Sequence, residues 1–324
     1  FFFKQKTAYE IVSRDWSSDV CSSDLTLSQR IKDRDQQKPL LISNDQSSMS
    51  LPGAQDKLGL RYDGRRDRLY DSVASTPTTH IAKPDTRLVK FQPSAMNEYL
   101  CMRLAASIKL PVPPVHLIQV PETVYIVQRY DRIVLGDTVR CLHQVDGCQL
   151  LGLGQDWKYE RQGLVSFKRI VEALRGLKLP AKDLLNFQRW VMFNYLIGNS
   201  DAHAKNISVL IDETGYALAP FYDLMCVQVY GDDRLALFIG DEDQFASIGA
   251  HSWEAFCEDC GFGVKPTLTL FRKMANDVAK AWVAVTAQAM ADFAPSPKEV
   301  ALIHAITKVI EANCLAAISM TAKR

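Results

Sequence analysis

The chain has 324 residues, 47% hydrophobic and 23% charged, with a formal net charge of +1. That length suits one large two-lobed enzyme or two modest domains, and near-neutral charge argues against a generally basic nucleic-acid binder. No uninterrupted apolar run approaches the roughly 18 residues of a membrane span, so a cytoplasmic protein without a membrane partner is expected. The eight cysteines (21, 101, 141, 148, 226, 257, 260 and 314) are scattered, mostly in apolar contexts that fit reduced, buried thiols. Cys257 and Cys260 lack the second pair that a zinc site needs.

Residues 1–25, FFFKQKTAYEIVSRDWSSDVCSSDL, resemble a peptide that arises when sequencing-adapter DNA is translated. They lack the basic and long apolar regions of a signal peptide, and are expected to be disordered and to stand where a natural N-terminus is missing. Residues 26–49 are polar and read as a linker. Lys57–Tyr62 and Arg68–Asp71 then flank Asp63-Gly64, which predicts a hairpin. Thr79–Lys83 is a short predicted strand, Met96–Ile108 a helix carrying Glu98, and Val115–Val120 with Val124–Gln128 a second hairpin. Helices are predicted over Ser166–Leu177, Asp183–Ile197 (apolar enough to be buried) and Thr267–Met290. A last helix begins at Ser296-Pro297-Lys298-Glu299, with an N-cap, a first-turn proline and a capping-box glutamate. Its apolar face is expected to comprise Val300, Ile303, Ile306, Ile310 and Leu315. The fold class expected is α+β and two-lobed, with a strand-rich N-lobe (50–131) and a mainly helical C-lobe (132–324); the motifs below give it a protein-kinase-like form.

Chemistry concentrates at Asp201-Ala-His-Ala-Lys-Asn206. Phosphoryl transfer needs phosphates held, metals placed and one carboxylate to orient the incoming hydroxyl. Asp201 and Asn206 have the D-x-x-x-x-N spacing of that carboxylate and a metal-binding asparagine, directly after a buried helix. Ile207–Ile211, a turn at Asp212–Gly215 and Tyr216–Phe221 form a hairpin that would return Asp223 to the same place. The spacing by itself is common, and an Asp-Ala-His loop also suits a metal or hydrolase site. Upstream, Lys83 on a strand and Glu98 on the next helix stand in the order of a phosphate-contacting lysine and its steadying glutamate, although Lys83 before Pro84 also suits a surface strand end. Pro52, Gly53, Ala54, Gln55, Asp56 and Lys57 precede the first hairpin, where a phosphate-covering loop belongs. Gln128, Arg129, Tyr130 and Asp131 end the second hairpin, where the lobes should join, adenine could meet backbone groups and Asp131 could accept from a ribose hydroxyl.

These segments together resemble the HipA family of serine/threonine kinases, toxins of bacterial type II toxin–antitoxin modules. The matching stretches are SLPGAQDK (50–57), THIAKP (79–84), NEYLCMRLA (97–105), VQRYDR (127–132), HQVDGCQ (143–149), GNSDAHAKNIS (198–208) and LAPFYDL (218–224). The resemblance implies ATP and Mg2+ as cofactors, Asp201 as catalytic base, Asn206 and Asp223 as metal ligands, and Lys83 on the ATP phosphates. It places His203, Ala204, Lys205 and Tyr222 in the nucleotide-contacting loop, residues 52–57 in the phosphate loop and Gln128–Tyr130 at the adenine hinge. Ser50 matches a regulatory autophosphorylation serine, whose phosphate would add nearly two negative charges beside an anion-binding loop. Implied partners are a helix-turn-helix antitoxin, DNA only through that antitoxin, and a protein substrate of the aminoacyl-tRNA synthetase kind. Gln128 and Val145 depart from the family's usual glutamates, and residues 26–49 would be the remnant of its N-terminal subdomain.

Overall fold

Period-two alternation organises the first lobe. In the computed structural model, which describes residues 21–22, 57–63, 68–71, 77–120, 122–135 and 138–322, six strands form one antiparallel sheet. They are β1 (Cys21–Ser22), β2 (Leu58–Asp63), β3 (Arg68–Asp71), β4 (His80–Pro84), β5 (Val115–Val120) and β6 (Glu122–Gln128), in the order β1-β3-β2-β4-β6-β5. Both predicted hairpins are present. Ser50, Pro52–Asp56, the expected linker (26–49) and all of residues 1–25 except Cys21 and Ser22 lie outside the described residues; those two, expected to be disordered, pair with Tyr70 and Leu69 on β3 instead.

One face of this sheet carries a small cluster of Leu58, Leu60, Ala82, Val124 and Ile126. The opposite face, with Val115, Leu117, Tyr125 and Val127, packs into the main core beside α1 (Ser94–Ser107). Lys83 follows Ala82 and pairs with Tyr125 in the ladder, so strand alternation turns it toward α1 rather than toward solvent. The β4 end is therefore a buried position, not a surface one. Helix α1 begins after Pro93 without a cap of its own; Asp85, from the loop before it, accepts from the Ala95 amide at 2.8 Å. A borrowed carboxylate thus satisfies one of the amides that a helix start leaves open.

The second lobe begins with the hairpin β7 (Arg132–Leu135) and β8 (Thr138–Cys141). Then come β9 (His143–Asp146), the short α2 (Gly147–Leu150), α3 (Phe167–Gly176) and α4 (Ala181–Ile197). The hairpin β10 (Ser208–Asp212) and β11 (Gly215–Leu218) follows, with β9 adding a third strand alongside β10. A further ribbon, β12 (Arg234–Ile239) with β13 (Glu242–Gln244), precedes α5 (Ala250–Cys260), α6 (Val264–Asp292) and α7 (Pro297–Thr321). The result is the expected α+β, kinase-like arrangement of a strand-rich and a mainly helical lobe.

Helix α4 is buried almost all round, as its composition predicts, with Phe187, Trp190, Met192, Phe193 and Leu196 inaccessible. Trp190 stacks on Phe221 at 5.8 Å, a contact of about 0.5–1.5 kcal/mol beyond area burial, which fixes the chain two residues before Asp223. Two expectations change here. Leu315 is 67% exposed, and Cys314 and Ala317 take the buried stripe instead, because the apolar face of α7 advances by three and four residues. Helix α7 is also apolar enough by length and composition to cross a membrane, yet its Ile306, Ile310 and Cys314 belong to the main core, where it packs on α6 and α4.

Candidate active site

Helix α4 ends at Gly198, whose left-handed φ of 70° lets the chain reverse, and the Asn199 amide closes the turn onto the Asn194 carbonyl at 2.8 Å. The next residues are ordered by side chains rather than by helix. Asn199 accepts from the Asp201 amide at 3.2 Å, and its amide group donates to Asn194 at 2.7 Å. Asn206 accepts from the His203 amide at 3.0 Å, closing residues 203–206 into a single turn. Asp201 stands exposed at the top of this loop while Ala202, His203, Ala204 and Asn206 are buried.

The hairpin β10–β11 then delivers Asp223. Its backbone adopts φ of 60°, the left-handed region that non-glycine residues occupy at a cost of about 1–2 kcal/mol, with Asp among the tolerant types. Asp223 joins the two lobes. Its Oδ1 accepts from Lys83 Nζ at 2.8 Å and its Oδ2 from Asn206 Nδ2 at 3.0 Å. Lys83 Nζ also donates to Glu98 Oε1 at 2.7 Å and Oε2 at 3.0 Å. The Lys83 ammonium holds the Asp223 carboxyl far below the usual carboxylate range against the opposing effect of burial, with Lys57 assisting. Burial would depress the Lys83 ammonium, but the two carboxylates reverse that and hold it charged. Lys57, just before β2, is itself pushed down by burial and by the nearby Lys83.

Helix α1 is fastened to the segment after Asp223. Asn97, beside Glu98, donates to the Cys226 carbonyl at 2.9 Å and accepts from the Cys226 amide at 2.9 Å. The glutamate-bearing helix and the Asp223 segment are therefore tied through both backbone groups of Cys226.

At the junction of the lobes Tyr130 stacks on Tyr222, 5.4 Å between centroids and 27° between planes, and donates to Gln144 Oε1 at 2.6 Å. Burial pushes the Tyr130 phenol up to about 12, so it remains a donor. Tyr222 donates to the Lys205 carbonyl at 2.6 Å and meets Ser208 Oγ at 2.8 Å. His203 Nδ1 is buried without a hydrogen-bond partner among the described residues.

Three expected nucleotide contacts have other occupations. Both oxygens of Asp131 take guanidinium hydrogen bonds, from Arg129 at 3.0 and 2.8 Å and from Arg132 at 2.6 Å. Burial would raise the Asp131 carboxyl, and these arginines bring it below its ordinary value instead. Arg129 and Asp131 thus clamp the junction, and a ribose hydroxyl would have to compete with charge-assisted bonds. Ala204 is wholly inaccessible; its amide donates to the Lys158 carbonyl at 3.2 Å. The Lys205 ammonium faces Asp146 at 3.6 Å.

Several residues around the site were given no role from the sequence. Tyr159 donates to Asp201 Oδ1 at 2.9 Å across 42 positions of sequence. Gly147 admits the Ala204 carbonyl, Gln144 holds Tyr130, and Asn97 holds Cys226. Tyr159 had no hint, Asn97 opens the motif NEYLCMRLA, and Gln144 and Gly147 lie in the motif HQVDGCQ. Within it, Val145 pairs with Val209 in the sheet and packs against the core, which suits an apolar side chain.

The family model of the HipA-like C-terminal domain matches residues 49–282. The chain is 36% identical over 258 residues to a Sinorhizobium fredii protein named "Putative kinase Y4mE", covering 78% of this chain and 60% of that one. It is 31% identical over 260 residues to the serine/threonine-protein kinase toxin HipA of Shewanella oneidensis, covering 75% and 58%. The chain thus spans about three fifths of the length of these curated relatives. Among solved structures, the Shewanella oneidensis complex of HipA, HipB and operator DNA superposes with a TM-score of 0.81 at 25% identity, over 96% of this chain and 75% of that one. The Helicobacter pylori proinflammatory kinase CtkA shares the fold, with a TM-score of 0.56 at 13% identity, covering 86% and 95%.

Proposed function

The chain belongs to the HipA-like C-terminal domain family, and from that premise we propose that it is an ATP- and Mg2+-dependent serine/threonine protein kinase of the toxin type. The observation that carries the proposal is the three-way contact of Lys83 with Glu98 and Asp223, closed by Asn206 on the second Asp223 oxygen. An ammonium held charged between two carboxylates, next to an amide and a carboxylate on adjoining loops, is a site for a polyphosphate and its metal. It has no evident use as a stabilising core, where burying such charges costs several kcal/mol each.

The donor set fits Mg2+, which takes hard oxygen ligands and relies on one or two protein groups plus substrate phosphates. Asp223 supplies a carboxylate that Lys83 holds ionised, and Asn206 an amide oxygen whose first lone pair takes the His203 amide, so that its second would serve the ion. When bound, the ion would neutralise charge on the phosphates. The protein's own part is then positioning. Lys83 would exchange its Asp223 contact for phosphate oxygens while Glu98 keeps it aimed. His203 Nδ1, buried without a protein partner among the described residues, is available to the same oxygens. The stacked Tyr130 and Tyr222 would border the base and sugar, and residues 52–57 would cover the phosphates. Asp201, exposed beside these groups, would take the proton of the acceptor hydroxyl as it attacks the γ-phosphorus.

Incubating the protein with γ-labelled ATP and magnesium tests this reading. Label transfer should vanish with a chelator, with Asp201→Ala and with Asp223→Ala; label that survives both substitutions would rule the mechanism out. Ser50 is proposed as the site of self-phosphorylation, detectable by mass spectrometry of the labelled protein and lost in Ser50→Ala. The acceptor is proposed to be a cellular protein of the translation apparatus, with growth arrest as the consequence.

A second role rests on the solved Shewanella relative, which is a complex with HipB and operator DNA. We propose a helix-turn-helix antitoxin as partner, with DNA reached through it, in keeping with the chain's charge of only +1. A mobility-shift assay with the neighbouring gene's product would show no effect of this chain if that role is wrong.

A further inference from the structure

The segment 158–163 is bound at several points around the Asp201 loop. The Lys158 carbonyl accepts from the Ala204 amide at 3.2 Å, and Glu160 Oε2 accepts from the Phe238 amide on β12 at 2.6 Å. Within the strap, Gln162 Oε1 accepts from the Tyr159 amide at 3.1 Å, and Gly163, at φ of 86°, closes the turn with its amide on the Glu160 carbonyl at 2.7 Å. Every one of these bonds fixes backbone or ring position, and their common result is the placement of one phenol.

That phenol donates to Asp201 Oδ1 at 2.9 Å, the one side-chain hydrogen bond to Asp201 among the described residues. The ring is gripped on all sides. His203 meets it edge-on at 5.6 Å, and Lys158 Nζ and Arg161 Cζ lie 4.8 and 5.1 Å from its centroid. Burial, then the negative charge of Asp201, push the phenol above its ordinary range, so it stays protonated and remains a donor wherever the enzyme works.

An exposed carboxylate on a loop has rotational freedom that a base must lose before it can receive a proton along one direction. We infer that Tyr159 is a positioning residue for the transfer step: its phenol holds one oxygen of Asp201, leaving the other directed at the acceptor hydroxyl. This rests on the kinase reading of the site. No atom of Tyr159 reacts; the acceptor proton passes to Asp201, and the new O–P bond forms as the bond to the ADP oxygen breaks.

The substitution Tyr159→Phe keeps the ring and removes only the donor. With the full chain, γ-labelled ATP, magnesium and dephosphorylated casein as acceptor probe, kcat should fall roughly ten- to hundred-fold, the scale of one charge-assisted hydrogen bond. KM for ATP and the melting temperature should be unchanged, which a merely structural role would not give. In 13C spectra of carboxyl-labelled aspartate, the resonance assigned by Asp201→Asn should shift in Tyr159→Phe. Wild-type protein that transfers label together with a variant whose kcat stays within about twofold, or whose Asp201 resonance does not move, overturns the positioning role alone. Wild-type protein that transfers label neither to casein nor to itself overturns the kinase reading and this role with it.

Discussion

Gly147 stands so close to Ala204 that a Cβ on the glycine would lie 2.5 Å from the Ala204 carbonyl oxygen. The Gly147 amide donates to the Ile207 carbonyl at 2.9 Å, so the start of α2 is pressed directly onto the loop that carries Asp201 and Asn206. Backbone faces backbone here, and no flexible side chain can yield. Gly147→Ala is expected to cost about 1–3 kcal/mol by overpacking. It should also lower label transfer at least tenfold by displacing residues 203–206. Thermal melting and single-turnover transfer, measured on the same preparation, check both expectations.

Lys83 lies between two carboxylates, and the contacts with Glu98 are wholly buried. Lys83→Met removes the ammonium and leaves Glu98 charged and unpaired, at about 3–5 kcal/mol. Lys83→Met combined with Glu98→Met should recover at least half of that loss, because the stranded charge goes too, while transfer stays absent. Urea unfolding of both single variants and the double variant closes the cycle.

Asn97 occupies both backbone groups of Cys226. Asn97→Ala would leave a buried amide and carbonyl without partners, each worth about 1–3 kcal/mol. Faster hydrogen exchange at the Cys226 amide is the direct readout. The site should loosen with it, since α1 and its Glu98 are no longer tied to the Asp223 segment; KM for ATP should rise.

Burial raises the Glu160 carboxyl to about 7, partly offset by the Phe238 amide, with Asp259 and Asp241 adding repulsion. Its folded pKa lies above its unfolded one, so its contribution is fully present below about pH 4.3 and lost as pH rises through 7. Glu160→Gln keeps an acceptor for Phe238 without the charge. Its melting temperature relative to wild type should therefore improve steadily from pH 4.5 to pH 8. A difference that is flat across this range would contradict the assignment.

Much of the site was legible before any coordinates. Spacing singled out Asp201 and Asn206 as candidates, the hairpin pattern pointed to Asp223, and chain order set Lys83 before Glu98; all are patterns within short stretches of sequence. What escaped were contacts between distant segments. Tyr159 reaches Asp201 across 42 positions, Asn97 reaches Cys226 across 129, and neither interval has any periodicity that would announce it. Arg129 and Asp131 show the converse: polar residues at a lobe junction suit a ligand and an ion pair equally well, and only the placement of Arg132 and Thr78 reveals the clamp.

Sequence alone determined most of the long elements, the two lobes and the residue types of the candidate site, because periodicity, capping and motif spacing are properties of short stretches, whereas the β7–β8 and β12–β13 ribbons and α5 emerged only in the fold. Tertiary structure decided which of those residues meet. Strand alternation turned Lys83 inward, but only the packing of α1 against the sheet put Glu98 beneath it, and only the Trp190–Phe221 stack and the left-handed turn at Asp223 closed the triangle. Burial and charge at that point are sums over both lobes, and no short segment contains them.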